Sequence, residues 1–272
     1  MEEIEKTLRK IVSLSAATGL RKPGEFCWFN MITPQPALAC EFFGALLGWR
    51  FTEAPGLYGY TVHLGGHSIG GLWDQNGPNT PPGTPAFIGV SIKVESADKA
   101  YEQVTKLGGT ARPPFDVMDA GRMAVCTDPN GAQFDVWEPK KHPGTDVDNR
   151  LHGAPSWFES RTTDVERATA FYSSLFGWKP EEVAPPGMSY TTFQHGGTYV
   201  GGMLRCPPEM KDVPPHWATF FNADDVDAAA RKAAELGAKV CMPPTDIPGI
   251  GRFCALTSPQ GVPFQLIKYV TV

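Results

Sequence analysis

Basic residues are scarce in this sequence, and they are not clustered. The 272 residues include 24 Lys and Arg against 29 Asp and Glu, which gives a net charge of −5. A general nucleic-acid binder needs a basic face that neutralises phosphates. We therefore expect no nucleic acid among the partners of this protein.

Long apolar runs are also missing. No stretch near the N-terminus has the length of a signal peptide or a membrane span, so we expect a cytoplasmic protein without a membrane partner. Instead, residues 1–20 place Ile4, Leu8, Ile11 and Leu14 at helical spacing. This pattern predicts an amphipathic helix in an N-terminal extension of residues 1–23, docked on the protein surface.

Several motifs that carry chemistry are absent. The six cysteines include no pair with CxxC or other metal-ligand spacing, which indicates reduced thiols rather than a metal cluster. The sequence has no Walker loop, no GxGxxG fingerprint and no HExxH motif. These absences exclude the common signatures of nucleotide binding and of zinc proteases.

An internal repeat is the strongest feature that is present. Residues 27–30 (CWFN) correspond to residues 156–159 (SWFE), and residues 47–49 (LGW) correspond to residues 176–178 (FGW), at a constant offset of 129 positions (157 − 28). Further landmarks recur in the same order, including an Asp-Pro-Asn-Gly and a Ser-Pro-Gln-Gly turn. The sequence therefore predicts two tandem domains, residues 24–139 and 155–272, joined by a linker of residues 140–154.

The hydrophobic periodicity gives each copy the same order of elements. Residues 26–33 and 156–163 alternate and are rich in aromatic residues, which predicts strands. Residues 36–47 and 165–176 have helical spacing and end at a glycine, and Asp164 is the predicted N-cap of the second of these helices. We expect an α+β fold in which each domain consists of two βαβββ modules that form a cup-shaped, mostly antiparallel sheet.

This arrangement, with Gly-Trp after the first helix and the Pro-containing turn before the last strand, resembles the vicinal-oxygen-chelate superfamily of glyoxalases, bleomycin-resistance proteins and extradiol dioxygenases. It is most similar to two-domain glyoxalase-like proteins. The resemblance implies that each cup holds a small molecule. It also implies a divalent metal bound by His or Glu on the first strand, His on the fifth and Glu on the last.

The residues at these metal-ligand positions do not match that pattern. They are Trp28 and Trp157 on the first strand, Gly89 and Ala218 on the fifth, and Asp135 and Gln265 on the last. Only Asp135 is a plausible oxygen ligand. We therefore expect no cofactor at the family's usual positions.

A shifted site in the second copy is the alternative. Glu159 and His216 lie two residues from the usual ligand positions, and strand alternation places them on the same face as Gln265. Together, Glu159, His216 and Gln265 could hold a divalent metal, or Glu159 and His216 could act as catalytic groups. The simpler alternative is that Glu159 and His216 hydrogen-bond each other or the backbone under an apolar lining. In the first copy the matching residues are Asn30, Phe87 and Asp135, with no imidazole.

Two arginines recur at equivalent positions. Arg122 and Arg252 each follow a glycine at the start of a late strand, with Asp116 and Asp246 six residues upstream. Either arginine could clamp a carboxylate or phosphate of a ligand at the rim of a cup. The alternative is an Arg–Asp pair that fixes the loop, and the joint recurrence of both partners favours this alternative.

Three functional hypotheses follow. The favoured one is binding or sequestration of a small, partly apolar molecule without a metal, by a monomer or homodimer. Its candidate ligand-binding residues are Trp28, Asn30, Asp135, Trp157, Gln265, Arg122 and Arg252. The second is an enzyme of glyoxalase, isomerase or oxygenase type with a displaced metal or none, which predicts an acid–base carboxylate of raised pKa. The third is an interaction protein with filled cups.

Overall fold

The computed structural model describes residues 19–78, 80–183, 189–207 and 212–270. The helix predicted within residues 1–20 falls almost entirely on residues 1–18 and therefore lies outside the described residues. No helix in the described ranges is long and apolar enough to cross a membrane.

The first domain begins with a strand–helix–three-strand module and continues with a second module of the same kind. Its elements are β1 (Phe26–Thr33), α1 (Pro36–Leu47), β2 (Arg50–Ala54), β3 (Gly59–Leu64), β4 (His67–Asp74), β5 (Phe87–Lys93), α2 (Ala97–Lys106), β6 (Thr110–Ala111), β7 (Phe115–Val117), β8 (Gly121–Thr127) and β9 (Gln133–Pro139).

The second domain repeats this order. Its elements are β10 (Pro155–Thr162), α3 (Val165–Phe176), β11 (Lys179–Val183), β12 (Tyr190–His195), β13 (Thr198–Arg205), β14 (His216–Asn222), α4 (Val226–Glu235), β15 (Lys239–Ile247), β16 (Gly251–Thr257) and β17 (Pro263–Tyr269).

The two sheets have the same strand order. The first runs β2-β3-β4-β1-β5-β9-β8-β6 with β7 paired to β8, and the second runs β11-β12-β13-β10-β14-β17-β16-β15. Parallel pairs link β1 to β4 and β5 to β9, and the corresponding strands of the second sheet, while the neighbouring pairs are antiparallel. The predicted α+β fold of two tandem, mostly antiparallel domains is confirmed.

Some strands were not assigned from the sequence. The strands β2 and β11 have the sequences RFTEA and KPEEV, and β7 has the sequence FDV. These strands are largely solvent-exposed, so they lack the apolar alternation that reveals a half-buried strand. The strand β15 was not assigned either, since its nine residues are mostly exposed and include two prolines.

The helix ends are determined by local chemistry. The side chain of Asp164 accepts a hydrogen bond from the backbone N–H of Arg167, as predicted for an N-cap. The helices α1 and α3 end at Gly48 and Gly177, which both have φ of 70°, a left-handed conformation that glycine adopts without strain.

The main core lies between the two sheets. One apolar cluster joins Phe29 and Phe43 of the first domain to Phe221 and Phe264 of the second. Trp49 Nε1 donates to the carbonyl of Gly153 at 2.8 Å, and its counterpart Trp178 Nε1 donates to the carbonyl of Gly24 at 2.7 Å. Buried apolar packing and two nearly symmetric hydrogen bonds therefore hold the two domains together.

The opposite face of each sheet takes no part in this apolar cluster. Since successive side chains of a strand alternate, burial of Phe29 against the second domain turns Trp28 and Asn30 to the other face. We call the face that carries Trp28, Asn30 and Asp135 the first cup. Its counterpart, which carries Trp157, Glu159 and Gln265, is the second cup.

Candidate functional site

A hydrogen-bonded polar group forms the floor of the first cup. Asn30 Nδ2 donates to Ser91 Oγ and to Asp135 Oδ2, both at 3.2 Å. Trp73 Nε1 donates to Asn30 Oδ1 at 2.9 Å. The indole N–H fixes the amide, because only the amide oxygen can accept from it and the amide nitrogen must then face Ser91 and Asp135.

Asp135 is an unusual carboxylic acid. It is only 6% exposed, and burial raises its pKa to about 7, with Asn30 and Ser91 opposing the shift by hydrogen bonding. Its Oδ1 atom makes no hydrogen bond with any described residue. A buried polar atom without a partner is destabilising in a folded protein, so it calls for a physical explanation such as a bound water molecule or ligand.

Two glycines beside this floor are covered by aromatic rings. A Cβ atom at Gly71 would lie 2.2 Å from Cζ2 of Trp73, and one at Gly89 would lie 3.2 Å from Cε2 of Phe87. Both rings therefore lean over bare backbone on either side of Asn30. Trp28, Trp73 and Phe87 remain only half-buried, so aromatic surface stays accessible around the acid.

His142 extends this aromatic wall. Its ring centroid lies 4.3 Å from that of Trp28 in an edge-on arrangement, and its Nε2 atom is buried without a hydrogen-bond partner in the described ranges. Burial lowers the pKa of His142, and the nearby Lys93 lowers it further. The sequence analysis missed His142, Trp73 and Ser91, because no local motif singles them out and His142 lies in the linker.

The second cup is packed by its own side chains. Trp157, Ala218, Phe220 and Ile267 are each less than one-tenth exposed and form a cluster that includes Tyr199. Tyr190, which the sequence analysis also missed, lies over Gly202, since a Cβ there would be 2.1 Å from its hydroxyl oxygen. Gln265 is buried, and its Oε1 makes no hydrogen bond within the described part of the chain.

Glu159 has partners of its own in this cup. Its Oε1 accepts from Arg161 Nε at 3.1 Å, and its Oε2 accepts from the hydroxyl of Tyr190 at 3.1 Å. Trp157 Nε1 donates to the same hydroxyl at 2.8 Å. His216 instead donates from Nδ1 to the carbonyl of Pro214 at 2.9 Å, and burial lowers its pKa. Glu159 and His216 are not hydrogen-bonded to each other.

The two recurring arginines are engaged by carboxylates. Arg122 makes a two-point contact with Asp98 at 2.8 and 2.9 Å and reaches Asp116 at 3.3 Å. Arg252 repeats this arrangement with Asp227 and Asp246. These contacts join the second helix of each domain to its sheet.

One serine motif has a structural role. Residues 66–70 (GHSIG) have the GxSxG spacing of a hydrolase nucleophile, and Ser68 Oγ lies 3.2 Å from Nδ1 of His63. The strands β3 and β4 flank this segment, so it is a hairpin turn. A nucleophile elbow requires a strand followed by a helix, and the motif therefore identifies no catalytic serine.

A family model for the Glyoxalase/Bleomycin resistance protein/Dioxygenase superfamily matches residues 26–136 and 155–266. The chain belongs to this superfamily. The two matches coincide with the two sheets, so the resemblance seen in the sequence is confirmed for both domains.

Relatives in this superfamily cover nearly the whole chain. CFP32 of Mycobacterium tuberculosis (strain CDC 1551 / Oshkosh), whose name describes it as a glyoxylase, is 34% identical over 249 residues, which is 89% of this chain and 93% of that protein. The anthracycline biosynthesis protein DauV of Streptomyces sp. (strain C5) is 33% identical over 260 residues, covering 90% of this chain and 94% of its own.

A solved structure shares the fold. The Mn(II)-bound glyoxalase from Novosphingobium aromaticivorans superposes with a TM-score of 0.62 at 13% identity, over 92% of this chain and 82% of that one. At this identity the likeness concerns the fold alone.

The side chains do not fit a metal ion at either cup. Residues in the described ranges contain no group of three or more His, Cys, Asp and Glu that could bind one. The first cup offers one carboxylate beside an amide and a hydroxyl. In the second cup, the guanidinium of Arg161 lies against Glu159 and would repel a second cation.

Proposed function

We propose that the protein binds a small, partly apolar molecule in the first cup, without a metal ion. The proposal rests on Asp135, which is nearly buried. Its Oδ1 atom has no hydrogen-bond partner in the described chain, and half-buried aromatic rings lie around it. Ligand sites typically combine such apolar walls with a few well-placed polar groups. Of the predicted residues, Trp28, Asn30 and Asp135 form this site.

The contrast between the cups supports this assignment. Trp28 is half-buried, whereas its counterpart Trp157 is 7% exposed and is covered by Tyr190 and Phe220. A ligand could enter the second cup only by displacing side chains that are already packed there. The proposal therefore leaves Trp157, Gln265, Glu159 and His216 as packing residues of the second domain.

The names of the relatives suggest a planar ligand. DauV is named for anthracycline biosynthesis, and anthracyclines are built on a flat, hydroxylated polycyclic ring system. Aromatic walls such as Trp28 and Phe87 suit molecules of this shape because rings stack on each other. We infer that a hydroxylated anthraquinone is a suitable first probe.

Fluorescence titration with dihydroxyanthraquinone tests the proposal. Trp28→Leu should weaken binding about tenfold or more, since it removes a stacking surface. Tyr190→Phe is the matched control, because it changes only a hydroxyl group in the second cup, and its affinity should equal that of the unmodified protein. Equal weakening by both variants, or no saturable binding, would refute the placement in the first cup.

A second candidate function is acid–base catalysis in the same cup. The observation that favours it is the raised pKa of Asp135, about 7, since a group that titrates near neutral pH can both take up and release a proton. The glyoxylase name of CFP32 suggests the hemithioacetal of methylglyoxal as a test substrate. Turnover that disappears in Asp135→Asn would establish catalysis. Binding of the anthraquinone without turnover would leave binding as the function.

A further inference from the structure

The sequence contains two Asn-Gly pairs, Asn76-Gly77 and Asn130-Gly131. In such a pair the backbone nitrogen of the glycine can attack the side-chain amide carbon of the asparagine, because no Cβ atom on the glycine hinders the approach. Asparagine is accordingly one of the thermolabile residues of proteins. In a folded protein the reaction further requires that the amide and the glycine nitrogen are free to move.

The two pairs lie in turns of the same kind. In each turn the backbone N–H of the asparagine donates at 2.8 Å to Oδ1 of the aspartate two residues earlier, which is Asp74 in the first turn and Asp128 in the second. The glycine N–H donates to the carbonyl of the same aspartate, at 3.1 Å for Gly77 and 3.0 Å for Gly131. The local hydrogen bonds therefore favour neither pair.

Contacts with the second domain restrain the amide of Asn130. Its Nδ2 atom donates to Thr162 Oγ1 and to the carbonyl of Asp164, both at 2.7 Å. Asp128 is only 3% exposed, and its Oδ2 accepts from the hydroxyl of Tyr172. An opening of this turn would therefore break hydrogen bonds that join the two domains and would leave buried groups unpaired.

The Asn76 turn has no such restraint. The side chain of Asn76 is exposed and makes no hydrogen bond within the described part of the chain. The carbonyl of Asp74 accepts from Thr80 Oγ1 at 2.9 Å as well as from Gly77, so it keeps a partner when the Gly77 N–H leaves it. Local opening of this turn frees the attacking nitrogen at little cost.

We propose that Asn76 is a site of spontaneous deamidation, whereas contact with the second domain protects Asn130. The Gly77 nitrogen forms a bond to Cγ of Asn76, the bond from Cγ to Nδ2 breaks, and ammonia leaves with the proton of the Gly77 nitrogen. Water then opens the succinimide ring at either carbonyl carbon, adds its hydroxyl group there and returns a proton to the nitrogen. The products are aspartate and isoaspartate.

Both products change the end of β4. Each adds a negative charge two residues after Asp74, where the unmodified chain has a neutral amide. Isoaspartate also lengthens the main chain between residues 76 and 77 by one carbon atom, which disrupts the hydrogen bond from Gly77 to Asp74. The modification therefore loosens the turn that follows Trp73 and Asp74.

Peptide mapping by mass spectrometry tests the proposal after incubation of the intact protein at mildly alkaline pH. Aspartate and isoaspartate should accumulate at residue 76 about tenfold or more faster than at residue 130, because release of the Asn130 amide breaks two additional hydrogen bonds. Equal rates at the two sites, or a faster reaction at residue 130, would overturn the proposal.

The chain unfolded in urea is the control for local sequence. Unfolding removes the contacts of Asn130 with the second domain, so the two rates should then agree to within about twofold. A difference that persists in urea would refute protection by the second domain as the cause.

Two variants separate the reaction from its protection. Thr162→Val removes one acceptor from the Asn130 amide and should accelerate deamidation there about fivefold, with no change at residue 76. Gly77→Ala places a Cβ atom on the attacking residue, 3.1 Å from the carbonyl of Asp74, and should slow the reaction at Asn76 severalfold. Thermal melting confirms that each variant is folded. An unchanged rate at Asn130 in the first variant refutes the protection, and an unchanged rate at Asn76 in the second refutes the succinimide route.

Discussion

The amide of Asn30 donates to the carboxylate of Asp135 at 3.2 Å and thereby joins the first strand of the first domain to its last. The two residues are separated by 105 positions along the chain, and they meet because β5 lies between β1 and β9 in the sheet. This contact leaves one oxygen of the acid free. The predictions on the first cup follow from this arrangement.

Replacement of Asp135 by Asn should change the pH dependence of stability. The pKa of Asp135 is about 7 in the folded protein, against an ordinary value of 3.8. Between these two values the folded protein keeps a proton that the unfolded chain has lost, so the free energy of unfolding falls as pH rises from about 4 to about 7. Relative to Asp135→Asn, the unmodified protein should lose up to roughly 4 kcal/mol over this interval, at about 1.4 kcal/mol for each pKa unit.

Urea unfolding at a series of pH values measures this difference. Asp119→Asn is a suitable control, because contact with Lys141 lowers the pKa of Asp119, so removing this acid should not stabilise the protein at high pH. Parallel stability curves for the unmodified protein and Asp135→Asn would show that burial does not raise the pKa of Asp135.

Trp73→Phe should loosen the floor of the first cup while it keeps an aromatic wall. Without the indole N–H, the Asn30 amide can rotate away from Asp135, which removes a hydrogen bond that lowers the pKa of this acid. We expect the pKa of Asp135 to rise and the binding of dihydroxyanthraquinone to weaken about fivefold, in line with the loss of one hydrogen bond.

Carbon NMR of labelled aspartate side chains reports the pKa of Asp135 directly. Tyr190→Phe removes the corresponding donor to Glu159 in the second cup and should leave both the pKa of Asp135 and the binding of dihydroxyanthraquinone unchanged. If the two variants weaken binding equally, the second cup takes part in recognition.

The sequence predicts the fold well because each copy of the repeat can be compared with the other. Patterns such as Gly-Trp after the first helix appear twice, so each assignment is checked by its counterpart. The strands β2, β11 and β7 escaped prediction because these edge strands are largely solvent-exposed and therefore carry little periodic signal. Their pairing depends on the neighbouring strand rather than on their own residues.

The site is predictable only in part. Alternation along β1 and β9 places Asn30 and Asp135 on one face, and the sequence analysis grouped them for this reason. It could not rank the two cups, because the packing of Tyr190 over Gly202 and the approach of His142 to Trp28 depend on tertiary contacts. Nor could it predict the partners of Glu159, which come from its own strand and from β12.

Arg122→Ala should leave ligand binding unchanged to within about twofold, as expected for a residue that has no contact with the ligand. Its guanidinium is held by Asp98 and Asp116, away from the acid on the cup floor. Arg252→Ala, at the equivalent position, should behave in the same way. Titration with dihydroxyanthraquinone measures both. A loss of affinity confined to Arg122→Ala would instead support the hypothesis that Arg122 binds an anionic group of the ligand at the rim of the cup.

The indole N–H groups of Trp49 and Trp178 should each contribute to the docking of the two domains. Trp49 of the first domain donates to the buried carbonyl of Gly153, in the linker just before β10, and Trp178 of the second domain donates to the buried carbonyl of Gly24 in the first. Replacement by Phe leaves that carbonyl without its donor and should lower the free energy of unfolding by about 1 to 3 kcal/mol. Chemical denaturation measures the change. Because the contacts are nearly symmetric, the two variants should lose similar amounts, and an effect in only one would contradict the equivalence of the two halves.

Removal of divalent metal should have no effect on ligand binding. The first cup presents a single carboxylate, and in the second the guanidinium of Arg161 lies 3.1 Å from Glu159, so neither has the donor set that a divalent cation requires. Treatment with EDTA should leave the dissociation constant of dihydroxyanthraquinone unchanged, and addition of Mn²⁺ should not alter it or the melting temperature. Loss of binding in EDTA that Mn²⁺ restores, but not in Asp135→Asn, would instead show that Asp135 helps to hold a metal.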